Sequence, residues 1–144
     1  MRIEKASLTH LGTLERLDVL WNPERFAHRK RSRLARSGVP GSSLDVIDGL
    51  DGGEEELTTD LLLDASRAPH RDTDLVGWVE ILSSWMDPVP GEDRPPRVLF
   101  AWGAFRFRGI LSSLDQLWVR FDASGRPLRG WLRLTLTRGR EIDS

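Results

Sequence analysis

The stretch from Pro95 to Arg138 constrains the fold more than any other part of the chain. It holds four runs of strand-forming residues, which begin at Pro95, Phe105, Leu117 and Trp131. Polar and apolar positions alternate in most of these runs, and turn residues separate them. Alternation is typical of strands with one buried face, and short turns join antiparallel neighbours. The pattern predicts an antiparallel β-meander with a tight hairpin turn at Asp122-Ala-Ser-Gly125.

Length and composition favour one domain spanning residues 1–144. A chain of 144 residues with 39% hydrophobic residues can bury its own core. The formal net charge of −1 gives no overall attraction to nucleic acid or to an anionic membrane. There is no cysteine, which excludes disulfides and thiolate chemistry. Neither a signal-peptide pattern nor a membrane-spanning apolar run is visible, so no membrane partner is expected.

The rest of the chain adds short strands and one helix. Strands are predicted at Ile3–Leu8, at Leu14–Trp21 beyond a turn at Gly12, and at Leu57–Asp64. An amphipathic helix is predicted at about residues 73–86 by apolar side chains at helical spacing: Leu75, Trp78, Val79, Leu82, Trp85 and Met86.

Residues at both ends of this segment support the helix. Asp72 or Thr73 is the expected N-cap, and Pro88 and Pro90 end the helix. Gly77 within it predicts a close packing contact. The expected fold is mainly β with one helix (α+β), an antiparallel β-sandwich or small barrel against which the helix packs.

The near-neutral total charge hides two segments of opposite sign within an irregular region predicted at about residues 22–56. The first is basic and includes Arg25, Arg29, Lys30, Arg31, Arg33 and Arg36, whereas residues 45–56 are acidic. Clustered arginines can contact phosphates. Opposite charges within one chain can also steer identical subunits together, so both interpretations stay open.

No set of residues predicts catalysis. His10, His28 and His70 are far apart in the sequence, and a metal site needs three or four convergent ligands. The densest group of carboxylates lies in the glycine-containing acidic segment, which does not position a catalytic acid. Ser112-Ser113 is expected to hydrogen-bond at a strand end. We therefore predict that the chain is not an enzyme and holds no metal and no cofactor.

The meander interleaves aromatic residues with arginines. The aromatic residues are Phe100, Trp102, Phe105, Phe107, Trp118, Phe121 and Trp131, and the arginines are Arg106, Arg108, Arg120 and Arg133. Alternation predicts a buried apolar face and an exposed arginine-bearing face that contacts a partner. Exposed aromatic rings could instead stack bases. The alternative function is therefore a small β-barrel that binds single-stranded nucleic acid.

Four features carry a resemblance to a known family through their order and spacing. They are Leu20-Trp-Asn-Pro-Glu24; Glu56-Leu-Thr-Thr-Asp-Leu-Leu-Leu-Asp64; the helix leading into Arg94-Pro-Pro-Arg-Val-Leu-Phe-Ala-Trp-Gly103; and Phe107-Arg-Gly-Ile-Leu-Ser-Ser-Leu114 followed by Phe121-Asp-Ala-Ser-Gly-Arg-Pro-Leu-Arg-Gly-Trp-Leu-Arg-Leu-Thr-Leu136. The chain resembles the tube-domain family of contractile injection systems, whose tube-initiator or baseplate-hub proteins often carry a LysM module. They are similar to small tail proteins of contractile phages. No LysM module follows the last strand here, so peptidoglycan binding is not carried over.

The resemblance implies a tube-like domain with a structural role. Such a subunit forms a ring, generally six-fold, at the baseplate of a phage-tail-like particle that assembles in the cytoplasm. Its implied partners are copies of itself, the inner tube protein, the spike or hub protein and other baseplate subunits, and nucleic acid is not expected among them. We hypothesise that the subunit interface includes Asn22, Pro23, Arg29, Lys30, Arg31, Arg33, Arg106, Arg108, Arg120 and Arg133.

Overall fold

The computed structural model describes residues 3–32 and 54–139. Within them, seven strands form one antiparallel sheet in the order β2-β1-β5-β6-β7-β4-β3. The elements are β1 (Ser7–His10), β2 (Arg16–Asp18), β3 (Phe26–Arg31), β4 (Glu54–Asp64), α1 (Leu75–Ser84), β5 (Arg97–Trp102), β6 (Phe105–Phe121) and β7 (Pro127–Gly139). The prediction of a mainly β fold is confirmed, and the described ranges contain one helix, as predicted.

The sheet curls so strongly that strands far apart in its order touch. Phe26 of β3 lies four strand positions from Phe100 of β5, a separation of roughly 19 Å in a flat sheet. Their ring centroids are only 5.9 Å apart, and Phe26 lies 4.4 Å from Phe105. The face that curls inward, here called the inner face, therefore encloses the hydrophobic core. No ladder joins β2 to β3 among the described residues, so the sheet stays open.

Helix α1 packs into the core through one side. Its buried residues Leu75, Trp78, Val79 and Leu82 belong to the same cluster as the inward-facing strand residues. The Trp78 indole N–H donates to the carbonyl of Asp18 at 3.3 Å. This contact ties the helix to the end of β2.

The helix starts slightly later than predicted. Its N-cap is Asp74, whose carboxylate accepts from the Gly77 amide at 3.0 Å, so the prediction of Asp72 or Thr73 as N-cap is wrong. A Cβ atom at Gly77 would lie 2.5 Å from the Asp74 carboxylate. The predicted close contact at Gly77 is thus confirmed, and the capping side chain makes it.

Strand β6 is one 17-residue strand where the sequence predicts two separate runs. The ladder with β7 shifts between Leu111 and Ser113, which leaves Ser112 as an extra residue in a β-bulge. The Ser112 hydroxyl bonds the Thr137 hydroxyl at 2.7 Å. The expectation that Ser112-Ser113 ends a strand is therefore wrong. Because the bulge inserts one residue, inward-facing positions change from odd to even numbers beyond it.

The region predicted to be irregular contains β3 and the beginning of β4, so that expectation is wrong for Phe26–Arg31 and Glu54–Glu56. In the ladder, Arg29 lies opposite Glu56 and Arg31 lies opposite Glu54. Opposite charges across a ladder stabilise strand pairing. A dense run of charges resembles a loop in sequence, although it is also typical of a protected edge strand.

Candidate subunit interface

The second half of β6 has a free edge. Strand β5 pairs with β6 only from Phe105 to Ile110, and β7 pairs along the opposite edge of β6. Pro95 and Pro96 precede β5, and neither residue has a backbone N–H to extend the ladder. Within the described ranges, the backbone of β6 from Leu111 to Phe121 thus has no strand on its β5 side.

This free edge carries unusually apolar side chains. Leu117, Val119 and Phe121 expose 61%, 53% and 52% of their surface. Trp131 lies opposite Leu117 in the ladder and exposes 38%. Soluble proteins normally protect edge strands with charge, cover or short length. An exposed apolar edge of this length indicates a contact surface for another chain.

Strand β3, an edge strand at one end of the sheet, has the usual protection. Five of its six residues are exposed, and they include Arg29, Lys30 and Arg31. These three residues register with Glu56, Glu55 and Glu54 of β4. Part of the basic segment therefore pairs with part of the acidic segment within one subunit. Reversing these charges would set like charges across the ladder, which destabilises strand pairing.

A cleft of about 440 Å³ lies beside the free apolar edge; we call it the Trp131 cleft. It is lined by Asp60, Asp115, Gln116, Leu117, Trp131 and Arg133. The Arg133 guanidinium donates two hydrogen bonds to Asp60, at 2.8 and 3.2 Å. These bonds hold the pKa of the Asp60 carboxyl below its usual value, against the opposing effect of burial. Asp60 is therefore ionised at neutral pH.

The four predicted interface arginines of the meander do not form one continuous ladder. Arg106 and Arg108 are exposed on the outer face of β6, opposite Ala101 and Leu99. Arg120 is exposed beyond a further register shift between Trp118 and Arg120. It lies roughly 40 Å from Arg108 along the strand at 3.3 Å per residue. Arg133 is engaged by Asp60. Their role at a subunit interface stays a prediction.

Asn22 and Pro23 serve contacts within the subunit. The Asn22 side-chain oxygen accepts from the Ala6 amide at 2.9 Å, and its side-chain nitrogen donates to the Glu4 carbonyl at 2.9 Å. Pro23 is buried. Asn22 therefore fixes the chain before β1 against the chain after β2. Whether this turn also meets a neighbour stays a prediction, and Arg33 lies outside the described residues.

Some of the aromatic residues predicted as a possible base-stacking platform are buried, on the face opposite the arginines. Phe100 and Phe107 are buried at 0% and 2% exposure. Arg106 and Arg108 project from the other face of the sheet because they alternate with Phe107. Stacking of single strands needs rings and cations on one accessible face, and this part of the sheet does not provide one.

A polar cluster closes one end of the inner face. The Glu55 carboxylate lies 2.8 Å from the His28 ring nitrogen and accepts two hydrogen bonds from Arg138, at 3.1 and 3.0 Å. The Arg138 guanidinium also lies 4.5 Å from the ring centre of Phe107. Burial alone would raise the pKa of Glu55, but the hydrogen bonds from His28 and Arg138 outweigh burial and lower it.

Asp64 is a second buried carboxylate whose ionised form is stabilised. It is 1% exposed and accepts hydrogen bonds from the Ser66 amide and hydroxyl. Arg67 and Arg129 lie 3.9 and 4.0 Å from it. Burial acts to raise the pKa of Asp64, and these bonds and charges together lower it.

These lowered pKa values predict acid destabilisation. A carboxyl with a lower pKa in the folded state than in the unfolded state stabilises the fold above its unfolded pKa. That stability is lost as pH falls through the folded pKa. Urea unfolding should therefore give constant stability from pH 7 to about 5 and a decline below about pH 4. Asp64→Asn should make that decline shallower, and an unchanged pH profile in this variant would contradict the assignment.

The described residues contain no group of three or more His, Cys, Asp or Glu side chains arranged to hold a metal ion. In the same parts of the chain, no helix is long and apolar enough to cross a membrane.

The feature that the sequence did not predict is the free apolar edge of β6. The sequence does contain an indication of this edge, namely the proline pair before β5. Because proline has no backbone N–H, this pair limits how far β5 can extend its ladder along β6.

Comparison with known proteins gives one family. No curated protein matches the chain. A family model described as contractile injection system tube protein matches residues 2–143, almost the whole sequence. The chain therefore belongs to the contractile injection system tube protein family.

Proposed function

We propose that this protein is a structural ring subunit at the baseplate of a contractile injection particle, where it connects the inner tube to the spike or hub. Membership of the tube protein family supports a structural role in such a system. The observation that carries the ring proposal is the free edge of β6, which exposes Leu117, Val119 and Phe121.

A ring can cover two of the free strand edges of each subunit. Both β3 and the second half of β6 have backbone groups without a strand beside them in the described structure. Head-to-tail contacts between unlike surfaces close into a ring when the rotation between neighbours is right. Each subunit then offers one edge to the neighbour on each side. Six copies per ring and assembly in the cytoplasm follow from the family resemblance and are part of this proposal.

The proposed partners are copies of the chain within the ring, the inner tube protein on one side, and the spike or hub with other baseplate subunits on the other. The role requires rigid surfaces that fit each other, and no reacting group. The hydrophobic core inside the curled sheet supplies such rigidity, because close-packed interiors transmit strain with little deformation.

A charge on the free edge should block assembly. Val119→Lys places an ammonium group on the exposed β6 edge, as natural edge strands do to prevent pairing. We expect the affinity of each contact between subunits to fall at least about tenfold, or about 1.4 kcal/mol, and ring formation to fall with it. Electron microscopy of the complete particle and light scattering of the purified chain would measure it.

The matched control is Ile81→Lys, because Ile81 is also partly exposed, at 37%, but lies on helix α1. Both variants should keep the circular dichroism spectrum of the unmodified chain. Normal rings and particles from Val119→Lys would show that the β6 edge is not the contact.

A further inference from the structure

We propose that the Trp131 cleft is the docking site for residues 33–36 of a second copy of this chain, Arg-Leu-Ala-Arg. The inference rests on the proposed ring, since it names one of the contacts between neighbouring subunits. The cleft adjoins the free apolar edge of β6, and the docking segment directly follows the other free edge, β3.

The cleft offers an apolar anchor point. Leu117 and Trp131 lie opposite each other in the ladder and are 61% and 38% exposed. A second cleft, of about 460 Å³, shares Trp131 and Asp60 with the first and is also lined by Glu24 and Arg25. A large aromatic side chain between two clefts, with polar groups around it, is the usual form of an interface hot spot.

The charges around the Trp131 cleft leave an excess of one negative charge. Asp60 and Asp115 supply two carboxylates, and Arg133 supplies one guanidinium. Arg133 gives both of its hydrogen bonds to Asp60. Asp115 lies opposite Arg133 in the ladder and contributes to the field that raises the pKa of Arg133. A cation supplied by a partner would complete the site.

The chemistry of residues 33–36 matches this site. Two arginines flank Leu34 and Ala35. Leu34 can cover the exposed surface of Leu117 and Trp131, while one arginine pairs with Asp115. A guanidinium suits both parts of the cleft because it forms bidentate bonds with carboxylates and stacks on aromatic faces.

The distance along the sheet favours another copy as the source of this segment. Arg31 lies opposite Glu54, whereas Trp131 lies opposite Leu62, eight residues farther along β4. That separation is roughly 26 Å at 3.3 Å per residue. Residues 32–36 extend the backbone by at most about 18 Å from Arg31. The nearer end of the cleft, where Asp60 lies opposite Arg133, is six residues beyond Glu54, or roughly 20 Å. A chain of this length from the same copy approaches the cleft only when fully extended, whereas a segment from a neighbour has no such limit, and we therefore assign the site to a neighbour's segment.

Because the chain contains no cysteine, single introduced cysteines give an unambiguous test. Ala35→Cys and Gln116→Cys would be made in separate full-length chains, mixed and oxidised. We expect a disulfide-linked dimer that forms only in the mixture. The matched control replaces Gln116→Cys with Glu80→Cys on the exposed side of α1. Equal cross-linking in the two mixtures, or none in either, would overturn the docking assignment.

Charge exchange provides an independent measurement. Asp115→Lys alone, and Arg33→Glu with Arg36→Glu, should each weaken self-association about tenfold in sedimentation experiments. Combining all three changes in one chain should restore association to within about threefold. No restoration would overturn the proposed pairing.

The result for docking can be separated from the result for the ring. Rings that form without the Ala35–Gln116 cross-link would overturn the docking inference and leave the ring proposal intact. A chain that stays monomeric at all concentrations and never enters particles would overturn both. A cross-link from Gln116→Cys to a different baseplate protein would assign the cleft to that protein and overturn self-docking.

Discussion

Replacing Phe100 with alanine should lower the free energy of unfolding by about 3–5 kcal/mol, the usual cost of removing a buried phenylalanine. Phe100 is fully buried, and its ring lies 5.9 Å from Phe26 and 6.1 Å from Phe105. It therefore joins the curled edge strand β3 to the middle of the sheet. Urea unfolding followed by tryptophan fluorescence would measure the change.

Phe121→Ala is the matched control for this prediction. It removes the same side chain from a position that is 52% exposed. Surface changes of this kind usually alter stability by less than about 0.5 kcal/mol. A similar loss for both variants would mean that the contact between β3 and β5 contributes nothing specific, and that the sheet does not depend on its curl.

Gly130→Val should also destabilise the protein, by about 1–3 kcal/mol or more. Strand propensity alone predicts the opposite sign, because valine favours strands and glycine weakens them. The geometry decides the sign, since a Cβ atom at Gly130 would lie 2.5 Å from the Trp118 ring and 2.7 Å from the Leu117 carbonyl oxygen. Thermal unfolding monitored by circular dichroism would show a lower midpoint.

A double variant tests the cause of that effect. If the Trp118 ring is the main obstacle, adding Trp118→Ala to Gly130→Val should cost less than the sum of the two single changes. The carbonyl of Leu117 remains close in the double variant, so recovery should be partial. A gain in stability from Gly130→Val alone would contradict the packing argument.

Local patterns in the sequence predicted the elements whose partners are near in the chain. The helix followed from the spacing of Leu75, Trp78, Val79 and Leu82, all of which are buried. The hairpin turn at Asp122 followed from Gly125, which adopts a positive φ of 88°. In such segments, side-chain periodicity and backbone preference act within a few residues, so composition is sufficient.

Other features could not be predicted because their causes lie far away in the chain. Strand β3 is a strand because Glu54–Glu56 and Phe100 hold it, and these residues are 23 or more positions from Arg31. The bulge at Ser112 exists because β7 sets the register of β6. The Trp131 cleft, in turn, brings together Asp60, Asp115 and Arg133 from three strands.

The sequence by itself determined the class of fold, the single helix, the hairpin and the family, since each rests on order and spacing along the chain. Only the tertiary structure decided which surfaces remain for a partner. The curl of the sheet buries one set of aromatic residues and leaves Leu117 and Trp131 outside. The ladder between β5 and β6 ends at Arg97 and Ile110, just after the two prolines, and the free edge begins there. Strand pairing depends on backbone N–H and C=O groups, which the alternation of side chains does not reveal.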